Sequence, residues 1–209
     1  LSDEVPREII VSHAPATRLT LITNSGRSLE DILRHPPEGK SILLVASKRS
    51  IEDVYVRYAD VFLSQNATLL CQGFSGGTGR MQAEFLMAEG QCVMVMTPWM
   101  YEGLDLPKET VSHLFIQTLP FDHPSHAVIS KRALRYGDAF TEYSLPRLAQ
   151  RLFRLLRTFS LHATTNGSIS ILDDRLQKKE YGKKLQHSLT SLFQKRDVAT
   201  EKTEQMRLF

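Results

Sequence analysis

A chain of 209 residues with 42% hydrophobic content can bury one sizeable core and is short for two full domains. Its longest apolar runs, Ile42 to Ala46 and Cys92 to Met96, are too short to cross a bilayer, so no membrane partner is expected. Two cysteines, Cys71 and Cys92, stand in strand-like surroundings that fit core residues of a reducing, cytoplasmic compartment better than a disulfide framework, and a formal charge of +3 permits a nucleic-acid partner only through a local basic footprint.

The chain opens on Leu1-Ser2-Asp3, which reads as part of something longer. Residues 1–38 are hard to parse: Glu8 to Val11 and Leu19 to Thr23 have strand character, but Pro6, Pro15, Pro36 and Pro37 interrupt them. From Gly39 onward, short apolar runs alternate with amphipathic segments of helical length. That is the pattern of parallel strands joined by crossover helices, so the class is α/β. Ser41 to Ser47 predicts a central strand and Ile51 to Leu63 the helix after it; Ala67 to Gln72, Cys92 to Thr97, Val111 to Thr118 and Ser168 to Leu172 predict the other strands. Helices are expected at Gly79 to Glu89, Pro124 to Tyr136, Pro146 to Ser160 and Tyr181 to Phe193. Residues 39–193 then form one domain, and the polar run 194–209 reads as a disordered tail.

Three local patterns compete for chemistry. Gly39-Lys40-Ser41 looks like the end of a phosphate loop, but Arg34 stands where the first glycine is needed and a strand follows where a helix should. Gly73-Phe74-Ser75-Gly76-Gly77 satisfies the G-x-S-x-G spacing of a hydrolase with Ser75 as nucleophile, with Asp105 and His162 as candidate partners. Three further glycines, Gly76, Gly77 and Gly79, make a helix directly after Ser75 costly. His123-Pro124-Ser125-His126 lacks further ligands at sensible spacing, so no metal is assigned to this chain.

Two longer stretches are more specific. Thr97-Pro98-Trp99-Met100-Tyr101-Glu102-Gly103-Leu104-Asp105-Leu106-Pro107 follows a strand and resembles motif V of the DinG/XPD-like superfamily 2 DNA helicases. Gln150-Arg151-Leu152-Phe153-Arg154-Leu155-Leu156-Arg157 resembles their motif VI, Gln-x-x-Gly-Arg-x-x-Arg. Leu119-Pro120-Phe121-Asp122-His123-Pro124 is similar to the family's proline-bearing loop, Ser168 to Arg175 to its last strand, and Tyr181-Gly182-Lys183-Lys184-Leu185 to its C-terminal helix. The resemblance runs from Gly39 to about Phe193. It implies a RecA-like, mostly parallel sheet flanked by helices: the second motor domain of an ATP-dependent helicase. ATP would lie between this domain and an N-terminal RecA-like domain of the same polypeptide, which would hold most of the ATP and its Mg2+. Carried onto this chain, Arg154 and Arg157 take the catalytic arginine positions, Gln150 lies near the nucleotide, and Glu102, Gly103 and Asp105 couple nucleotide to DNA.

The residues support that reading independently. At a helical period Leu148, Leu152, Leu155, Leu156 and Phe159 form one stripe, while Arg147, Arg151, Arg154 and Arg157 gather on the other side with no acidic i,i+4 partner in the helix. Such a face suits an anionic ligand, and a planar guanidinium suits the charge that spreads over a departing γ-phosphate. Arg151 shares the face but falls outside the motif positions. Ser47, Lys48, Gln72, Gly73 and Thr97 fall at strand ends, where an α/β sheet gathers ligands, and are expected to meet the backbone of single-stranded DNA without sequence preference. Phe153 stands where the motif has glycine, which leaves open a nucleic-acid-binding domain that has lost its engine.

Overall fold

The computed structural model describes residues 9–12, 18–22, 27–123 and 125–189. Strands β1 (Ile9–Ser12), β2 (Arg18–Ile22), β3 (Lys40–Leu44), β4 (Thr68–Cys71), β5 (Cys92–Met96), β6 (Val111–Ile116) and β7 (Ala163–Ile171) form a single sheet in the order β1-β2-β7-β6-β3-β5-β4. Every neighbouring pair is parallel except β1 with β2. The sheet is the α/β arrangement expected from the alternation of short apolar runs with helices, in the RecA-like form that the family resemblance implies.

Burial on both faces explains why the central strands read as unbroken apolar runs rather than alternating ones. Ile42 and Leu44 of β3 and Cys92, Met94 and Met96 of β5 face one core, while Leu43, Val45, Val93 and Val95 face the other. The first core is covered by α3 (Thr78–Met87), α4 (Pro98–Glu102) and α6 (Leu145–His162), with α7 (Arg175–Lys178) and a helix over residues 180–189 at its margin. The second is covered by α1 (Leu29–Arg34) and α2 (Lys48–Ser64). Burial pushes both thiols, Cys71 and Cys92, up to about 12, in keeping with inert core positions.

Several boundaries differ from the sequence expectation. Helix α2 starts at Lys48 because the Ser47 hydroxyl accepts from the Ser50 amide at 3.1 Å and closes the N-terminus. The helix expected over Pro124 to Tyr136 is only α5 (Ala127–Ala133): none of its residues is buried, so no packing extends it, and Pro124 lies outside the described residues. Helix α6 runs to His162 and is preceded by a π-helical turn, Phe140–Ser144. The short α4 was not anticipated; Pro98 stands in its first turn, where a missing amide proton costs nothing. Upstream of Gly39, β2 pairs with β7 and α1 buries Ile32 and Leu33. The expected tail, and the last residues of the helix expected to reach Phe193, lie outside the described residues. No helix among the described residues is long and apolar enough to cross a membrane.

One close approach fixes the C-terminal margin. A Cβ on Gly182 would lie 2.4 Å from the carbonyl oxygens of both Arg175 and Leu176, so the 180–189 helix touches the backbone of α7 through a position only glycine can occupy. Gly182→Ala is expected to lower unfolding free energy by about 1–3 kcal/mol despite alanine's better helix propensity. Gly137→Ala, where a Cβ would meet nothing within 4 Å, should stay within about 0.5 kcal/mol of wild type in urea denaturation. Equal midpoints for the two variants would refute the tight contact.

Candidate nucleotide and nucleic-acid interface

The C-terminal ends of β3, β4 and β5 open onto one rim, and the residues singled out from the sequence lie along it. Gln72 leaves β4 and Thr97 leaves β5; the Gln72 side-chain carbonyl accepts from the Thr97 amide at 3.0 Å and from its hydroxyl at 3.2 Å. Gly73 follows with φ +88, a conformation that favours glycine and turns the chain after the strand. Ser47 and Lys48 are exposed at the start of α2.

Helix α4 places Glu102 beneath α6. Gly103 ends α4 with an ordinary φ of −99, and a Cβ there would meet nothing closer than 3.8 Å, so nothing within this domain demands glycine. The Asp105 carboxylate is exposed, while its backbone carbonyl accepts from the Gln82 side chain of α3.

The basic face of α6 divides into two sets. Gln150, Arg154 and Arg157 are exposed and fall within an arc of about 60° of helix. Arg154 is 50% exposed, and its Nε donates to Glu102 Oε2 at 3.0 Å. Arg157 makes no ion pair with a described residue. Arg151, expected on the open face, is instead only 4% exposed. It lies about 40° from Leu155 on the wheel, at the border of the apolar stripe. Its guanidinium stacks on Trp99 at 3.9 Å from the ring centroid, donates to the Pro120 carbonyl at 3.0 Å and binds Asp122 Oδ1 at 2.8 Å. Arg147 also pairs with Asp122. The acidic partners missing from the helix therefore arrive from the loops after β5 and β6, and the face is not uncompensated.

Glu102 Oε1 and Arg151 Nε complete the cluster at 4.0 Å, both shielded from solvent and both without a hydrogen-bond partner. Their attraction is purely through space. Burial works against the charged form of Asp122, but hydrogen bonds and charge from Arg147 and Arg151 outweigh it and hold the carboxyl below its ordinary range. Asp173 behaves alike: burial opposes ionisation, and Arg175 together with the Leu119 amide, which donates at 2.7 Å, overcomes it.

Phe153, at the glycine position of the motif, is half-buried and packs against the first core. The substitution is absorbed by packing inside the domain.

The competing sites do not assemble. Lys40 donates to the Leu86 carbonyl at 2.6 Å and Ser41 is fully buried, so neither faces a phosphate. The Ser75 hydroxyl accepts from the Cys71 amide at 2.9 Å and braces the turn; no hydrogen bond links it to Asp105 or to His162, which is buried at the end of α6. His123 Nδ1 engages the Ser125 hydroxyl at 2.6 Å, and among the described residues no group of three or more His, Cys, Asp or Glu is placed to hold a metal ion.

Fold and rim together define a RecA-like domain that turns an arginine-bearing helix and a loop-lined strand edge toward the same side. The helicase C-terminal domain model matches residues 29–191, and the chain belongs to that family. It is 33% identical to the 3'-5' exonuclease DinG of Bacillus subtilis over 123 residues, 55% of this chain and 13% of that protein. It is equally 33% identical to the ATP-dependent DNA helicase YoaA of Escherichia coli over 129 residues, 58% of this chain and 20% of that protein. The ATP-dependent helicase DinG of Mycobacterium tuberculosis is 30% identical over 134 residues, 60% of this chain and 19% of that protein. The matched region thus spans a fifth or less of these relatives. A solved XPD helicase superposes with a TM-score of 0.54 at 12% identity, over 74% of this chain and 28% of that one, a likeness of fold alone.

Arg151→Ala is expected to destabilise the domain by about 3–5 kcal/mol, because it strips a buried ion pair of its cation. Arg154→Ala, at an exposed pair, should cost less than about 1 kcal/mol; urea denaturation distinguishes them, and the reverse order would refute the assignment. Asp122 and Asp173 have folded pKa values below their unfolded ones, near about 3.9. Their contribution is therefore fully present above that unfolded value and is lost as pH falls through the folded one. Denaturation midpoints should fall steeply below about pH 4, with a shallower acid slope in Asp173→Asn. An unchanged slope in that variant would contradict the linkage.

Proposed function

We propose that this chain is the second RecA-like motor domain of an ATP-dependent DNA helicase. It supplies Arg154 and Arg157 to a nucleotide held mainly by an N-terminal RecA-like domain, and its strand-end rim contacts the backbone of single-stranded DNA. The observation that carries the reading is the placement of Arg154: fixed to a helix by a continuous apolar stripe, half exposed, and steered at its Nε by Glu102. The similarity to ATP-dependent helicases of Escherichia coli and Mycobacterium tuberculosis supports it.

The residues present fit phosphate oxygens and not a divalent ion: exposed guanidiniums on one helical arc, and no cluster of metal-ligating side chains among the described residues. ATP and Mg2+ therefore belong to the reading as ligands of the first domain. Bound there, they supply the reacting phosphoryl group and its charge neutralisation. This chain's part is to bring Arg154 and Arg157 to the charge that develops on the phosphate, with Gln150 as a polar neighbour one turn before Arg154. Before that, Glu102 holds Arg154. Were Arg154 to turn to a phosphate, Glu102 would keep Arg151 as a second cation 4.0 Å away, so the partly buried carboxylate would not be left unpaired.

In a complete protein carrying both motor domains, Arg154→Ala should reduce DNA-stimulated ATP hydrolysis by about 10³-fold or more, with nucleotide binding changed far less. Arg151 is unsuitable as a control because it is buried; exposed Arg132 of α5 serves instead, and Arg132→Ala should retain hydrolysis. Full turnover in a folded Arg154→Ala protein would sink the arginine assignment, whereas no DNA-stimulated hydrolysis in the unmutated protein would favour a domain that binds nucleic acid without an engine.

A further inference from the structure

Two aromatic platforms stand on the rim beside the residues already assigned. Trp99 is the single tryptophan of the chain, a residue type that is highly buried on average, yet it is 61% exposed. Its inner face rests on the Arg151 guanidinium, which Pro120 and Asp122 hold in place. The ring therefore has a fixed floor and an open side. At the exit of the neighbouring strand, Phe74 is 44% exposed and stacks on Tyr55 of α2, with centroids 4.9 Å apart and planes inclined by 19°. Its turn is braced: the Phe74 and Ser75 amides both donate to the Cys71 carbonyl at 2.9 Å, and the Ser75 hydroxyl accepts from the Cys71 amide.

The placement of the two rings is matched. Strands β4 and β5 are paired in parallel register, Phe74 follows Gln72 by two positions, and Trp99 follows Thr97 by two. Gln72 and Thr97 are hydrogen-bonded to each other, so a polar bridge links the chains that carry the rings. Exposed Lys48 and Arg49 open α2 on this rim and favour an anionic backbone; Glu52, a turn before Tyr55, is the opposing charge. A flat aromatic surface beside polar groups and cations matches a strand whose bases are unstacked and whose phosphates are charged.

We propose that this rim holds single-stranded DNA by stacking bases on Trp99 and Phe74 as well as by contacting its backbone. The inference rests on reading the domain as one that contacts single-stranded DNA, and adds how it tells strand states apart. Phosphates are present on duplex and single strand alike, whereas only an unpaired strand can turn base faces onto side-chain rings. Every base has such a face, so the contact stays indifferent to sequence.

The test compares a thymidine oligomer of about twenty nucleotides with an abasic oligomer carrying the same phosphates, at low salt, reading Trp99 fluorescence and affinity. The thymidine oligomer should quench Trp99 and bind about five-fold to a hundred-fold more tightly; the abasic oligomer should bind weakly without quenching. Equal affinity with no quenching overturns stacking and leaves backbone contact standing. Failure of both oligomers to bind overturns the single-stranded DNA reading itself. Trp99→Leu and Phe74→Leu should each lose part of the preference for bases while keeping abasic affinity; a preference kept intact in both folded variants removes these rings from the contact. The wild-type comparison decides stacking even where a variant folds poorly.

Discussion

The buried guanidinium of Arg151 is the joint on which the candidate site depends. Taking such a cation out of water costs several kcal/mol, offset here by close counter-charges and by hydrogen bonds from its terminal nitrogens, Nε alone being left with a through-space partner. Here the partners come from separate parts of the chain: the Trp99 ring from the turn after β5, the Pro120 carbonyl and Asp122 carboxylate from the loop after β6, and Glu102 from the end of α4. These segments also carry apolar anchors of their own, Tyr101 and Leu104 after β5 and Leu119 after β6. The shared cation ties them to one another and to α6, which Leu148, Leu152, Leu155, Leu156 and Phe159 seal onto the sheet.

That joint separates two tasks that look alike in the sequence. Arg147 and Arg151 hold loops to the helix; Arg154 and Arg157 remain available to something outside it. The separation is a matter of helical angle and neighbours. Arg151 borders the buried stripe, so any loop that crosses α6 covers it first. Arg154, about 60° away in the other direction, clears the loops and among the described residues keeps only Glu102 as an ion-pair partner.

Central strands and most helices were legible because their signals are local: β3 and β5 are unbroken apolar runs, and α6 repeats leucine at a helical period. What could not be read was pairing between distant segments. A helical wheel shows Arg151 among arginines and contains no trace of Asp122 or Trp99, which are brought in by chain topology. The length of α5 was illegible for the opposite reason: its sequence favours helix, but with no buried residue there is no packing to carry it as far as Tyr136. Gly103 shows a third limit, since a glycine tolerated without any backbone demand cannot be explained from inside the domain.

Under the proposed function, the same geometry accounts for how little chemistry the chain would carry itself. Phosphoryl transfer asks a protein mainly for positioning and charge, with little covalent work. A domain with that duty needs a stiff element, a guanidinium left partly free, and a way to keep the guanidinium oriented before its ligand arrives. The apolar stripe of α6 supplies stiffness, exposure of Arg154 supplies freedom, and Glu102 supplies orientation at the expense of burying a carboxylate beside two cations. Arg151 makes that arrangement stable, because a carboxylate shared between a fixed arginine and a movable one can release the second without being stranded. The buried arginine and the exposed one are thus coupled through one acidic residue, and the neighbouring Trp99, stacked on that buried arginine, ties the strand-end rim to the same cluster.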